Sequence, residues 1–147
     1  MGLIQQFKNK TIFLDTAPII YYIEENQQYI EKLDNLFNAN NNRLFLFKTS
    51  IISLIEVLIH PLRQNNINLA NQYQSILCNS KTLEIIDIDI NIALKTAELR
   101  ARYGIKTPDA IQIATAISSE SNYFITNDLE LKKLNAEIQI ITLNELT

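Results

Sequence analysis

The stretch Thr11-Ile12-Phe13-Leu14-Asp15-Thr16-Ala17-Pro18-Ile19-Ile20 carries the reading of the fold. An apolar run stops at an aspartate, a hydroxyl residue follows, and a proline opens an amphipathic segment. That is the pattern of a buried strand passing into a helix, with a carboxylate at the carboxyl end of the strand. In open α/β sheets, ligands and chemistry gather along that edge. Taken alone, the stretch is explained more simply by Asp15 or Thr16 capping the helix, with Pro18 near its first turn. What decides between the two readings is whether other carboxylates recur in the same setting.

They do recur. Tyr123-Phe124-Ile125 is another apolar run, and it stops at a hydroxyl, an amide and a carboxylate in Thr126-Asn127-Asp128. In Lys106-Thr107-Pro108-Asp109, Thr107 reads as an N-cap and Pro108 as the first helical position. Asp109 then falls in the first turn, where the helix dipole favours an anion. Ala110, Ala114 and Ala116 leave that helix narrow enough to pack close to a sheet. The segment Ile51 to His60 is apolar around most of its circumference, which predicts a largely buried helix capped by Ser50 and stopped by Pro61. Glu56 sits in its middle, and an ionised carboxylate in a dry core is costly unless it is paired or binds a cation. The structural alternative is a pairing with His60, one turn further on.

The remaining elements follow the same periodicities. Strands are expected at Leu44–Phe47, Leu83–Ile86 and Ile138–Ile141, and helices at Tyr29–Phe37, Leu62–Asn79 and Ile90–Tyr103. Asn38 to Asn42 reads as a polar loop. Ile67, Leu69, Tyr73, Ile76 and Leu77 are expected in the core. Asp87 and Asp89 read as turn and capping residues, and Gly104 as a helix C-cap. The alternation of strands and helices predicts the α/β class, a three-layer α/β/α fold with a central, mostly parallel sheet of four to five strands. The whole chain, residues 1–147, is expected to form one domain.

Composition excludes several classes of function. A hydrophobic fraction of 47% and a charged fraction of 20% are ordinary for a globular protein. No apolar run approaches the roughly 18 residues of a membrane span. The amino terminus, with Gln5, Gln6, Lys8 and Lys10, lacks the apolar core of a signal peptide. The single cysteine, Cys78, fits a small buried thiol in a reducing cytoplasm. One histidine excludes His-rich zinc sites, and two glycines leave no glycine-rich phosphate loop. The net charge of −3 argues mildly against nonspecific nucleic-acid binding, although acids gathered in one pocket would account for it.

Asp15, Glu56, Asp109 and Asp128 thus come from four segments that a parallel sheet can bring to one edge. Gathered there, they would raise one another's pKa unless a divalent cation held them. Oxygen ligands without histidine or cysteine suit Mg²⁺ or Mn²⁺ better than zinc. Such ions support in-line displacement at phosphorus.

With these residues in view, the sequence resembles the PIN-domain proteins, and more narrowly the VapC-type toxin ribonucleases. The matching motifs are Phe13-Leu14-Asp15-Thr16, Ser53-Leu54-Ile55-Glu56, Pro108-Asp109-Ala110 with Ala114-Thr115-Ala116, and Thr126-Asn127-Asp128. They stand in the family's order and span nearly the whole chain. The resemblance implies Mg²⁺- or Mn²⁺-dependent cleavage of single-stranded RNA, with Asp15, Glu56, Asp109 and Asp128 as the catalytic and metal-binding quartet. It also implies a homodimer neutralised by a small antitoxin. Thr16, Thr126 and Asn127 would assist at the scissile phosphate or at an ordered metal-bound water. Arg100, Arg102, Lys106 and the pair Lys132-Lys133 are candidate substrate contacts, although a solvated helix face would explain them equally well. Some members carry a further acid shortly after Asp109, whereas here Gln112 and Ile113 stand in that region, which favours a single ion. A noncatalytic PIN-like module binding RNA or a protein is the alternative, and a phosphoacceptor role for Asp15 is weaker because Ala17 stands where a second acid would be wanted.

Overall fold

The computed structural model describes residues 2–147. Five strands, β1 (Thr11–Leu14), β2 (Leu46–Ser50), β3 (Leu83–Ile86), β4 (Tyr123–Thr126) and β5 (Gln139–Thr142), form one sheet in the order β3-β2-β1-β4-β5. Every pairing is parallel. Six α-helices connect them: α1 (Thr16–Ile23), α2 (Ile30–Asn41), α3 (Ile51–Arg63), α4 (Ile67–Cys78), α5 (Ile90–Tyr103) and α6 (Thr107–Ser118).

The three layers follow from alternation along the strands. Ile12 and Leu14 of β1 face a core shared with α1 to α4, whereas Phe13 between them faces a second core beneath α5 and α6. In β4 Ile125 joins the first core and Phe124 the second, where its ring stacks on Phe13 with centroids 5.5 Å apart. Successive strand residues point to opposite faces, so a sheet apolar at every position must be covered twice.

Strand order reverses at β1, which has β2 on one side and β4 on the other. The carboxyl ends of β1 and β4 therefore flank a topological switch point, where a crevice opens between diverging connections. Asp15 follows β1 and Asp128 lies just past β4.

Several local expectations need correction. Strand β2 begins at Leu46 and not at Leu44, because Leu44 and Phe45 approach the sheet from a turn in which Arg43 has φ 62°. Helix α2 runs on through Asn38 to Asn41, and buried Asn40 explains why. Its amide donates to the carbonyls of Phe45 (3.1 Å) and Thr82 (2.9 Å) and accepts from the Thr82 hydroxyl (2.8 Å). Pro61 lies inside α3, not after it. It stands in the last turn, so only one backbone bond is forgone and the helix reaches Arg63. The chain then breaks at Asn65, in a left-handed conformation at φ 55°, and Asn66 caps α4 through the Leu69 N–H. The break between the two expected helices thus falls after Arg63 and not at Pro61. Lys106, not Thr107, occupies the N-cap of α6, and the segment after Asp128 is a 3-10 helix over Leu129–Leu134. Cys78 and Ile67 are exposed. By contrast, Ser50 caps α3, Asp89 caps α5, and Gly104 ends α5 at φ 67°, as read from the sequence.

Asn40 joins α2 to the starts of β2 and β3. Asn40→Ala leaves two buried carbonyls and a hydroxyl without their partner, and should cost about 3 kcal/mol of unfolding free energy. Urea denaturation measures this, and a loss below about 1 kcal/mol would mean that those carbonyls find other donors.

Candidate active site

Asp15 is the N-cap of α1, and its Oδ1 accepts from the Thr16 N–H at 2.8 Å. Its Oδ2 accepts from the Thr126 hydroxyl at 2.7 Å, across the switch point. The capping reading and the site reading are therefore both satisfied by one side chain. Each carboxylate oxygen receives one hydrogen bond and keeps lone-pair capacity for a further partner. The Thr126 oxygen in turn accepts from the Asp128 N–H at 3.1 Å, and Asp128 caps the following 3-10 helix through the Glu130 N–H.

Glu56 departs from its expected setting. Helix α3 leaves Ile55, Ile59 and Leu62 about half exposed, and Glu56 lies on the open side with them. Its Oε1 accepts from the buried Thr16 hydroxyl at 2.8 Å, and among the described residues it forms no ion pair with His60. The carboxylate reaches the same edge as Asp15 from the solvent side, not from a dry core.

Burial and mutual charge mark the pocket. The Asp15 carboxyl is raised from 3.8 to about 6, mainly by desolvation, with the charges of Asp109 and Glu56 adding to it against the Thr126 and Thr16 hydrogen bonds. Asp109, in the first turn of α6, is also raised, first by desolvation and then by Asp128 and Glu56, while Lys106 opposes the shift. The four acids therefore interact electrostatically across four segments. Among the described residues, no three Asp, Glu, His or Cys side chains close into a ready-made metal cage. An open, all-oxygen set of this kind fits Mg²⁺ or Mn²⁺, because Mg²⁺ is held through one or two carboxylates and retains several waters.

Beneath the acids lies a polar lattice whose role the sequence reading missed. Gln112 of α6 is 1% exposed and uses its whole amide. Its Oε1 accepts from Ser50 at 2.6 Å, and its Nε2 donates to Ser53 at 2.8 Å and to Thr16 at 3.1 Å. Thr49 donates to Ser53 at 2.7 Å or to the Leu14 carbonyl at 2.8 Å. With Gln112 donating to it, Thr16 is free to give its proton to Glu56. The only sequence signal was a run of small hydroxyl residues, Thr49, Ser50 and Ser53, beside a strand end.

The remaining candidates are distributed unevenly. Asn127 donates to the Tyr21 hydroxyl at 3.3 Å. Arg100 donates to the Ile105 carbonyl, and Arg102 is held by Glu137 and Glu98. Lys106 shares a cleft with Asp109 and Asp128.

Residues 12–137 match the family model described as the PIN domain. A comparison with curated proteins returns no significant match. Among solved structures, the chain is similar to VapBC2 from Rickettsia felis bound to a promoter DNA fragment, at 19% identity and TM-score 0.68, covering 90% of this chain and 98% of that one. It is also similar to a DNA-bound VapBC from Salmonella typhimurium, at 23% identity and TM-score 0.68, covering 91% of this chain and 98% of that one. FitAcB from Neisseria gonorrhoeae matches at 20% identity and TM-score 0.67, covering 92% of this chain and 99% of that one. At these identities the likeness is one of fold.

Because the raised Asp15 carboxyl binds a proton in the folded state that the unfolded chain releases, stability of the metal-free protein falls as pH rises between about 4 and 6. Above that window the folded protein carries a penalty on the order of 1–3 kcal/mol. Asp15→Asn removes it and should raise the melting temperature at pH 7.5 by several degrees, with little change at pH 4.5. Calorimetry in a chelating buffer checks this, and equal melting shifts at both pH values would contradict the assignment.

Proposed function

The chain belongs to the PIN domain family, and on that premise we propose that it is a divalent-metal-dependent endoribonuclease acting on single-stranded RNA, the toxin of a toxin–antitoxin pair. The observation that supports this most is the approach of Asp15, Glu56, Asp109 and Asp128 to one switch point, with two of them raised by burial and by their neighbours' charge. A cluster that repels itself in the metal-free protein is arranged for a cation. In this reading the chain forms a single domain and works as a homodimer with a small antitoxin as partner. The similar structures include VapBC and FitAcB, which is consistent with such a partner.

Asp15 and Asp109 would hold Mg²⁺ or Mn²⁺, with Glu56 and Asp128 beside them. When bound, the ion supplies charge neutralisation at a phosphodiester and lowers the pKa of water. The protein's own part is to keep the carboxylates aimed. Thr126 and the Thr16 N–H fix the two oxygens of Asp15, so its plane is set before substrate arrives. Thr16, held by Gln112, fixes Glu56. Desolvation around Asp15 strengthens its attraction for any cation placed there.

A second reading, a noncatalytic PIN-like module that binds RNA or a protein, is favoured by one observation. Among the described residues, no three acids close into a cage that holds a metal without further ligands.

Purified wild type and Asp109→Asn, incubated with RNA and Mn²⁺, separate the two. The nuclease reading expects cleavage by wild type that chelation stops, and a loss of about a hundredfold or more in Asp109→Asn with a melting temperature no lower than that of wild type. RNA binding that survives chelation, without cleavage in Mn²⁺, would establish the noncatalytic reading. Equal cleavage by both proteins would remove Asp109 from the site.

A further inference from the structure

Resting on the nuclease reading, we propose that the cleft beside Asp109 and Asp128 is a subsite for a backbone phosphate of single-stranded RNA, adjacent to the one cleaved and held by Lys106 and Lys133.

The sequence offers five cations around the acids, and the structure sorts them. Arg100 donates through Nε to the Ile105 carbonyl at 2.9 Å, across the turn that Gly104 makes. Arg102 pairs with Glu137 at 3.2 Å and with Glu98 at 3.4 Å. Lys132 donates to the Ile140 carbonyl at 2.8 Å and pairs with Glu145 at 2.7 Å, clamping the 3-10 helix to β5. These three are committed to the fold. Lys106 and Lys133 are exposed, and among the described residues neither forms an ion pair.

Both free lysines line the same cleft of about 190 Å³, with Asp109, Asp128 and Glu130 and with buried Leu131 as an apolar floor. Lys106 stands in this cleft with Asp109 and Asp128, yet among the described residues it closes an ion pair with neither. An ammonium that lies close to carboxylates without closing on them keeps its donors for a ligand. That ligand must be anionic and must sit beside the acids, which a phosphodiester chain does when its scissile group is at the switch point. Lysine meets a phosphate as a point charge, without the planar fork that selects one geometry. The subsite therefore holds the strand in register and reads no base. Of the three acids in the cleft, Asp109 and Asp128 would be neutralised by the cation of the nuclease reading, whereas Glu130 stands outside that set and its charge opposes phosphate binding there.

The test uses the full chain carrying Asp15→Asn to prevent hydrolysis, with labelled single-stranded oligouridylate and oligoadenylate at fixed Mg²⁺ and varied monovalent salt. Lys106→Gln with Lys133→Gln should weaken binding about tenfold on both homopolymers and reduce the salt slope by about 0.7 per lysine removed. Glu130→Gln should tighten binding, an outcome that misfolding does not produce. Lys8→Gln, before β1 and hence at the opposite edge of the sheet, should change nothing. In the otherwise wild-type enzyme the double lysine variant should raise KM and leave kcat unaltered. A double variant with the parent's affinity and salt slope overturns the subsite, as does weakening confined to one homopolymer. If wild type binds RNA but cleaves none, the nuclease reading fails while the lysine result still decides the cleft. If the parent binds no RNA, both fall.

Discussion

The constraint on which the rest of the structure depends is the enclosure of a carboxylate at the end of β1. Asp15 is pushed to about 6 because the sheet, α1 and β4 leave it only partly open to water, and because Asp109 and Glu56 add their charge. A fold selected for stability alone would place an amide or a hydroxyl there. The two hydrogen bonds it accepts offset part of the desolvation and fix its direction. What remains is a local instability in the metal-free protein, which is the common condition of sites that must bind a charged ligand.

The parallel topology makes this possible. Strand order reverses at β1, so the connections after β1 and β4 depart in opposite directions and leave a crevice between them. Asp15 and Asp128 reach it from strand ends, Asp109 from the first turn of α6, and Glu56 from α3 through Thr16. No single segment carries the site. A change in β4 pairing would move Thr126 and release Asp15, so strand register and site chemistry are linked through a 2.7 Å hydrogen bond.

Much of this was legible in the sequence, and the exceptions have physical causes. Strand ends that stop at acids, the caps at Ser50 and Asp89 and the left-handed Gly104 are local signals, and local signals survive folding. Glu56 was misread because an apolar helix looks buried from its composition. Which face of α3 is covered depends on α4 and α6, and these leave Ile55, Ile59 and Leu62 open. The break at Asn65 was hidden because an asparagine in the left-handed region has no hydrophobic signature. Cys78 ends a helix whose buried face is set by Ala70, Tyr73 and Leu77, a register that turns the thiol outward.

Gln112 was the least legible residue, and its polarity bears on what the site can hold. A glutamine in a helix usually faces solvent, whereas here both ends of the amide are used. An acid at this position could still accept from Ser50, but it would have no N–H for Thr16 or Ser53. Thr16 would then turn its proton toward the new carboxylate, and Glu56 would lose its partner. A fifth negative charge would also sit in the 1% exposed position that Gln112 occupies, beside an Asp15 already raised by burial. The amide thus sets the direction of a hydrogen-bond chain that ends on Glu56, and adds no charge that a second cation would be needed to balance. On the nuclease reading proposed above, this arrangement supports a site built around one ion.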